Sequence, residues 1–296
     1  MSGAEALVVT VFLILVKVAA AMREEFVEMK YFETYYYTNI VHNVLDDTMS
    51  YLRNLHNWHE DQEVWLFLQP FPKRSLLHEF AQYIIEELMY ERIGEVTLEA
   101  ALRGPKDKLW VDQALMRHGI ESSGFLHWLN ENTVLLEEVT EDHIFDYHQD
   151  LRLTGELDEL FTRLSNEVFF ILFGNRALLA KLNGYVSGVV QRIEKADLEP
   201  EHFALLARDG VPARVHIPEW VRRAVFFRDR GMCAACNKDL SGLVSVSTHK
   251  HFDHIVPLAE GGINDVTNMQ LLCEACNLAK GRKLVTTSSR YEAWYT

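Results

Sequence analysis

A chain of 296 residues is long enough for one large domain or two smaller ones. Its 48% apolar content supports a packed core, and its 24% charged content is ordinary for a soluble protein. The net charge of −14 argues against binding nucleic acid over the whole surface, but it averages two unlike parts. Residues 212–296 carry 11 Lys and Arg against 8 Asp and Glu, whereas residues 1–211 carry 18 against 35. Only the C-terminal part, at +3 against −17, has the local positive charge that phosphate binding needs.

The chain begins with an almost wholly apolar run, Ala6 to Met22, broken by Thr10 and Lys17. It lacks the basic leader of a signal peptide, since the early charge is Glu5. As a helix its length is about 25 Å, short of the ~30 Å hydrocarbon core of a membrane. A buried or oligomer-forming helix, opened by Ser2 and Glu5 as a capping box, is favoured over a membrane anchor. The chain is accordingly expected to be cytoplasmic, with membrane association through residues 6–22 as the alternative.

Residues 1–60 have helical character, with no proline and no glycine after Gly3. Pro70 and Pro72 interrupt it. The next helix is expected over about 75–93, with Leu77, Phe80, Ala81, Ile84 and Leu88 on one face. Shorter helices are expected over 107–118 and 122–130, then a longer one over 133–150. Leu157, Leu160, Phe161, Leu164, Val168 and Leu172 form another helical stripe, and a further helix covers about 175–196. Gly184 and Gly188 in that last helix point to close packing of soluble helices. Pro200, Gly210, Pro212 and Pro218 then cluster where composition and charge change, which places a domain boundary near residue 211. The expected organisation is an acidic, all-helical part (1–211) for regulation, oligomerisation or partner binding, followed by a small domain (212–296).

The helical part has little catalytic signal. His56 and His59 share a helix face, but no third metal ligand is evident, and a solvated polar face explains them. The aromatic residues Tyr31, Phe32, Tyr35, Tyr36 and Tyr37 suit a core or protein interface better than a base-stacking platform.

The chemistry lies at the C-terminal end. All four cysteines fall in two C-x-x-C pairs, Cys233/Cys236 and Cys273/Cys276, with none left over. In a chain of this length, such pairs suit a tetrahedral zinc site better than disulfides. Four thiolates leave no open position on the metal, so this zinc would be structural. A helix is expected from Pro218, with Arg222, Arg223, Arg228 and Arg230 largely outward and available to a phosphate backbone. Val244, Val246 and His251–Val256 suggest a hairpin, in which Asp253 and His254 point to opposite sides. Gly261-Gly262 close a loop, and a last helix starting near Cys273 carries Asn277, Lys280 and Arg282.

The succession F-x-R-D-x-G-x-C-x-x-C, DHIVPL, GG, N-M-Q-L-L-C-x-x-C-N and a following Lys resembles the HNH endonuclease family over about residues 217–285. The resemblance implies a ββα-metal fold. It implies that Asp253 ligates a catalytic metal and that His254 is the general base. It further implies that Asn277, in the place of the motif's last His or Asn, is the second metal ligand, and that Asn268 braces the loop and orients His254. His249 and His251 match no family role.

The expected fold class is therefore mainly α: an acidic helical domain followed by a small HNH domain with a structural zinc knuckle pair. The expected function is metal-dependent hydrolysis of DNA phosphodiester bonds, by nicking or double-strand cleavage, in prokaryotic antiviral defence, restriction or phage biology. The expected cofactors are structural Zn²⁺ and catalytic Mg²⁺ or Mn²⁺. DNA contacts are expected from Arg222, Arg223, Arg228, Lys280, Arg282 and Lys283. A homo-oligomer or a regulatory protein partner would use the helical domain. The alternatives are a non-catalytic zinc module that binds nucleic acid or protein, and a membrane-tethered nuclease.

Overall fold

Apolar residues recurring every three or four positions set most of the architecture. The computed structural model describes residues 27–60, 62–93, 109–242, 249–281 and 287–293. The apolar run 6–22, Val244, Val246, Arg282 and Lys283 lie outside the described residues. Residues 1–30 form one compact unit and residues 31–296 another. In the first, Lys30 pairs with Glu28 at 2.7 Å.

In the second unit, the helical part runs α1 (Thr34–Asp46), α2 (Leu52–Glu60), a 3-10 turn (Val64–Leu68), α3 (Leu76–Ile93), α4 (Trp110–His118), α5 (Phe125–Glu131), α6 (Glu141–Thr154), α7 (Glu156–Leu172) and α8 (Arg176–Val190). A hairpin follows, β1 (Leu206–Arg208) and β2 (Val211–Pro212). Then come α9 (Glu219–Arg228), β3 (Lys250–His254), β4 (Met269–Cys273) and α10 (Glu274–Lys280). Helix α3 packs chiefly against α7, and α1 packs against both.

The stripe expected on α7 is buried at every position, and Leu77, Phe80, Ala81 and Ile84 of α3 are buried beside Ile85 and Met89. Two helices are shorter than their patterns suggest. Helix α6 starts at Glu141 because Thr140 caps it: the side chain of His143 accepts from the Thr140 backbone N–H at 3.0 Å. Helix α8 ends at Val190 and gives way to a 3-10 turn at Lys195–Asp197. The close packing expected at Gly184 and Gly188 is not present, for a Cβ at either would meet nothing within 4 Å. Of the aromatic run, Tyr37 is core, whereas Tyr31 and Tyr35 stack on each other in solvent.

The apolar interior has two clusters that exchange residues. Ile255 and Ile263, which follow β3, pack into the large helical cluster. Phe71, which precedes α3, packs into the smaller cluster with Val221, Val225, Leu271 and Leu272. Hydrogen bonds follow the same exchange. The Phe71 N–H donates to the Asn264 carbonyl (2.7 Å), and the Leu76 N–H, at the start of α3, donates to Asp265 Oδ2 (2.9 Å). Asn183 of α8 reaches Thr267 Oγ1 at 3.2 Å, and Gln191 reaches the Glu260 carbonyl at 2.8 Å. The loop between β3 and β4 is thus seated on the helical part.

The small hairpin is seated there too. The Gly210 N–H donates to the Ile193 carbonyl at 2.8 Å. Gly210 has φ +66°, and a Cβ on it would lie 2.7 Å from the Gln191 carbonyl oxygen, so both turn and contact favour glycine. The compositional change near residue 211 falls inside this hairpin, between its paired strands.

Candidate functional site

The two cysteine pairs converge. Their four Sγ atoms lie within 4.8 Å of one another, and all four thiols are free. Two backbone features bring them together. Residues 231–240 fold back on themselves through Cys233 N–H to Lys238 carbonyl (2.9 Å) and Leu240 N–H to Gly231 carbonyl (2.7 Å). Ala234 N–H then joins this turn to β4 through the Leu271 carbonyl (2.8 Å). A tetrahedral zinc with Zn–S near 2.3 Å requires sulfurs about 3.8 Å apart, and Cys236 and Cys273 are 3.8 Å apart. Burial alone would raise the Cys233 thiol, but N–H groups of Cys273, Cys236 and Ala235 outweigh it and bring the thiol down to about 7. Cys236 and Cys276 are pushed up, first by burial and then by neighbouring thiols. A bound dication removes that obstacle to ionisation, so the donor set fits zinc.

Beside this cluster, β3 pairs antiparallel with β4, Lys250 opposite Cys273 and His254 opposite Met269. All five residues of β4 are buried, so it lacks the alternation that marks a half-exposed strand, and the sequence pattern does not reveal it. Alternation along β3 puts His251 and Asp253 on one face and His254 on the other.

His254 is 8% exposed. Its Nε2 lies 3.2 Å from Asn264 Oδ1, while Asn264 Nδ2 donates to the Ala213 carbonyl at 2.9 Å. The second bond fixes which way the amide faces, so Nε2 carries the ring proton and Nδ1 keeps its lone pair. Burial pushes the ring's pKa down, with Lys280 and Arg214 adding to the effect, while Asn264 and Asp253 oppose it. A neutral imidazole at neutral pH is the form a general base requires.

The Asn268 side chain bonds the backbone at both ends of the loop that follows β3. It accepts from Val256 N–H (2.8 Å) and donates to the Val256 and Ile263 carbonyls (3.0 and 2.9 Å). All three bonds go to backbone, and the contact to the His254 ring comes from Asn264 instead. Gly262 lets this loop close: a Cβ there would lie 1.9 Å from the Val256 carbonyl oxygen.

Asp253 and Asn277 occupy neighbouring elements, β3 and α10. Asp253 Oδ2 accepts from Lys280 Nζ at 2.6 Å, and the same ammonium donates to the His254 carbonyl at 2.6 Å. Asn277 Nδ2 lies 3.5 Å from His251 Nδ1, and the buried Nε2 of His251 has no hydrogen-bond partner. A carboxylate oxygen, an amide and an imidazole nitrogen are each of a donor type that divalent cations take. Residues 56–60 offer no such set: His56 pairs with Glu60 at 3.1 Å in solvent, and His59 bonds Tyr185 Oη at 2.9 Å.

The basic residues are arranged differently from the expectation. Arg228 is buried, not outward. It bonds the Asp229 carboxylate at 2.8 and 3.0 Å and the Met269 carbonyl at 2.6 Å. Asp229 also receives Arg176 at 3.1 Å and Leu271 N–H at 2.9 Å, so this buried carboxylate ties α8, α9 and β4 together. Lys280 is buried in its two bonds to β3. Neither is placed to meet a phosphate backbone. Arg222 pairs with Glu219 at 2.8 Å, and Arg223 is exposed.

A cleft of about 530 Å³ opens on Asp253 and His254. Its lining also includes Pro257, Leu258 and Gly281, and, from the hairpin segment, Ala207, Arg208, Val211, Pro212 and Arg214. The sequence pattern marks only a domain boundary near residue 211 and gives no sign of these cleft residues. Nor does it reveal Asn264, whose only signal is a place in the G-G-I-N-D turn next to the recognised glycines.

Among the described residues, no helix is long and apolar enough to cross a membrane. Residues 233–283 match the family model for HNH endonuclease. No curated protein and no solved structure matches the chain.

Proposed function

From the premise that its C-terminal part is an HNH domain, we propose that the protein is a metal-dependent endonuclease that hydrolyses DNA phosphodiester bonds. The observation that carries this reading is the held imidazole of His254, its Nε2 tied to Asn264, at the cleft it shares with Asp253. His254 takes the proton of the attacking water at Nδ1, and Asn264 holds the ring in the tautomer that allows it. Asp253 and Asn277 would hold a Mg²⁺ or Mn²⁺ ion, which would supply charge neutralisation at the phosphate and stabilisation of the leaving oxygen. Asn268 keeps the loop closed beside the base, and Lys280 neutralises one oxygen of Asp253 and anchors the His254 carbonyl. The four cysteines would hold a structural zinc that ties the 231–240 turn to the end of β4 and the start of α10.

We assign the helical part the task of seating the β3–β4 loop, which the exchanged core residues support. Docking a second copy or a regulatory protein is proposed for its outer surface, and prokaryotic defence, restriction or phage biology for the setting. The test is plasmid cleavage across a Mg²⁺ and Mn²⁺ series. His254→Ala is expected to lower the rate at least about 100-fold. No cleavage by the parent protein with any divalent ion, or undiminished cleavage by His254→Ala, refutes the proposal.

One observation favours a second reading, a non-catalytic zinc module that docks nucleic acid. The Lys280 ammonium already sits on Asp253 at 2.6 Å, where a metal would compete with it. Nucleic-acid binding without cleavage, and no Mn²⁺ binding beyond the zinc, would select it.

A further inference from the structure

We propose that Arg208 and Arg214 are a phosphate clamp for the cleft, gripping nucleic-acid phosphates next to the one attacked at His254. The inference rests on the nuclease reading and extends the site to a segment outside the family-matched residues 233–283. Both arginines line the cleft together with Asp253 and His254. Both are exposed, and neither side chain has an ion-pair or hydrogen-bond partner among the described residues. The contrast with the expected contacts decides the matter. Arg228 and Lys280 are consumed in buried pairs and Arg222 is paired with Glu219, which leaves the hairpin arginines as the available cations lining the cleft.

The hairpin holds them at a set distance from the chemistry. Its tip is bonded to the segment after α8 through Gly210 N–H and the Ile193 carbonyl (2.8 Å). Its base is closed by Ala213 N–H and the Leu205 carbonyl (2.8 Å). Asn264 joins it to the site, since the amide that accepts from His254 also donates to Ala213, the neighbour of Arg214. Asp209, the carboxylate adjoining Arg208, accepts the Lys195 N–H at 2.9 Å. A guanidinium on so anchored a backbone can bind a phosphate through two parallel N–H bonds, with only its own side chain to order.

The experiment uses the full chain with zinc bound and a fluorescent DNA duplex. Affinity is measured against salt by anisotropy in a His254→Ala background, and cleavage is measured in the parent. Arg208→Gln/Arg214→Gln is expected to weaken binding about 100-fold, taking roughly tenfold per contact, and to flatten the log–log salt dependence by about 2, near 0.9 per phosphate. In cleaving enzyme the same pair raises KM. Arg53→Gln/Arg117→Gln removes equal charge from exposed positions elsewhere and is expected to change neither quantity appreciably. Equal affinity and slope in the two double variants, with cleavage by the parent intact, overturn the clamp alone. Absence of both binding and cleavage in the parent overturns the clamp and the nuclease reading together.

Discussion

Asp265 is where the helical part and the β3–β4 loop depend on each other, and replacing it tests whether they form one structure. Its carboxylate is buried and accepts from Leu76 N–H (2.9 Å), Thr267 N–H (2.8 Å) and Thr267 Oγ1–H (2.6 Å). The first bond serves the N-terminus of α3, an 18-residue helix whose first N–H groups have no partner within the helix. The other two shape the turn before Asn268. Asp265→Ala removes three acceptor contacts and leaves two buried N–H groups without partners. Each hydrogen bond to a charged acceptor is worth about 1.5–3 kcal/mol, and the values are not additive. A total loss of about 3–5 kcal/mol follows, or a fall in Tm on the order of 10 °C for a chain of this size. Asp265→Asn keeps one acceptor oxygen and should lose about half as much. Thermal unfolding is followed by far-ultraviolet circular dichroism and by zinc release to a chromogenic chelator. The two signals should shift down together in Asp265→Ala. A Tm within about 2 °C of the parent, or zinc release at a lower temperature while helical signal is unchanged, would refute the coupling.

Gly262→Ala puts a Cβ 1.9 Å from the Val256 carbonyl oxygen, so it should abolish plasmid cleavage and lower Tm. Gly184→Ala, whose Cβ meets nothing within 4 Å, should instead stabilise by about 0.5–1 kcal/mol in urea unfolding. Cys273→Ser should reduce bound zinc below one ion per chain by elemental analysis and collapse the melting transition of the nuclease end. Burial pushes His78 down to about 3 and His148 down to about 4, from an ordinary 6.5. Both stay neutral in the folded protein but take up protons once unfolded. Stability is therefore fully present above about pH 6.5 and is lost as pH falls, down to about 4 for His148 and about 3 for His78. At pH 5 each contributes a loss of about 2 kcal/mol. Urea midpoints equal at pH 7 and pH 5 would contradict this.

What the sequence made legible, and what it hid, follows from how each feature is encoded. Cysteine pairs, the Asp-His pair, the double glycine and the apolar stripe of α7 are local patterns, each bounded by geometry within one element. The structure brings the four cysteines within 4.8 Å and buries the stripe. Strand β4 and the start of α6 were obscured by local chemistry, a fully buried run without alternation in one case and a Thr140–His143 cap in the other. The basic residues failed for a different reason. Charge alone does not tell a phosphate contact from a buried partner, and Arg228 was committed by Asp229, a carboxylate one position away that also takes Arg176 from 53 residues earlier. The same limit hid the hairpin's part of the cleft lining. Proline and glycine around residue 210 announce a turn, and a turn beside a change in charge reads as a domain boundary. Only the bonds from Gly210 to Ile193 and from Asn264 to Ala213 make it part of the site. The acidic balance of residues 1–211 therefore misleads if spread over the whole helical part. Its last segment puts Arg208 on the cleft, and Arg214 follows six residues later in the same lining as His254.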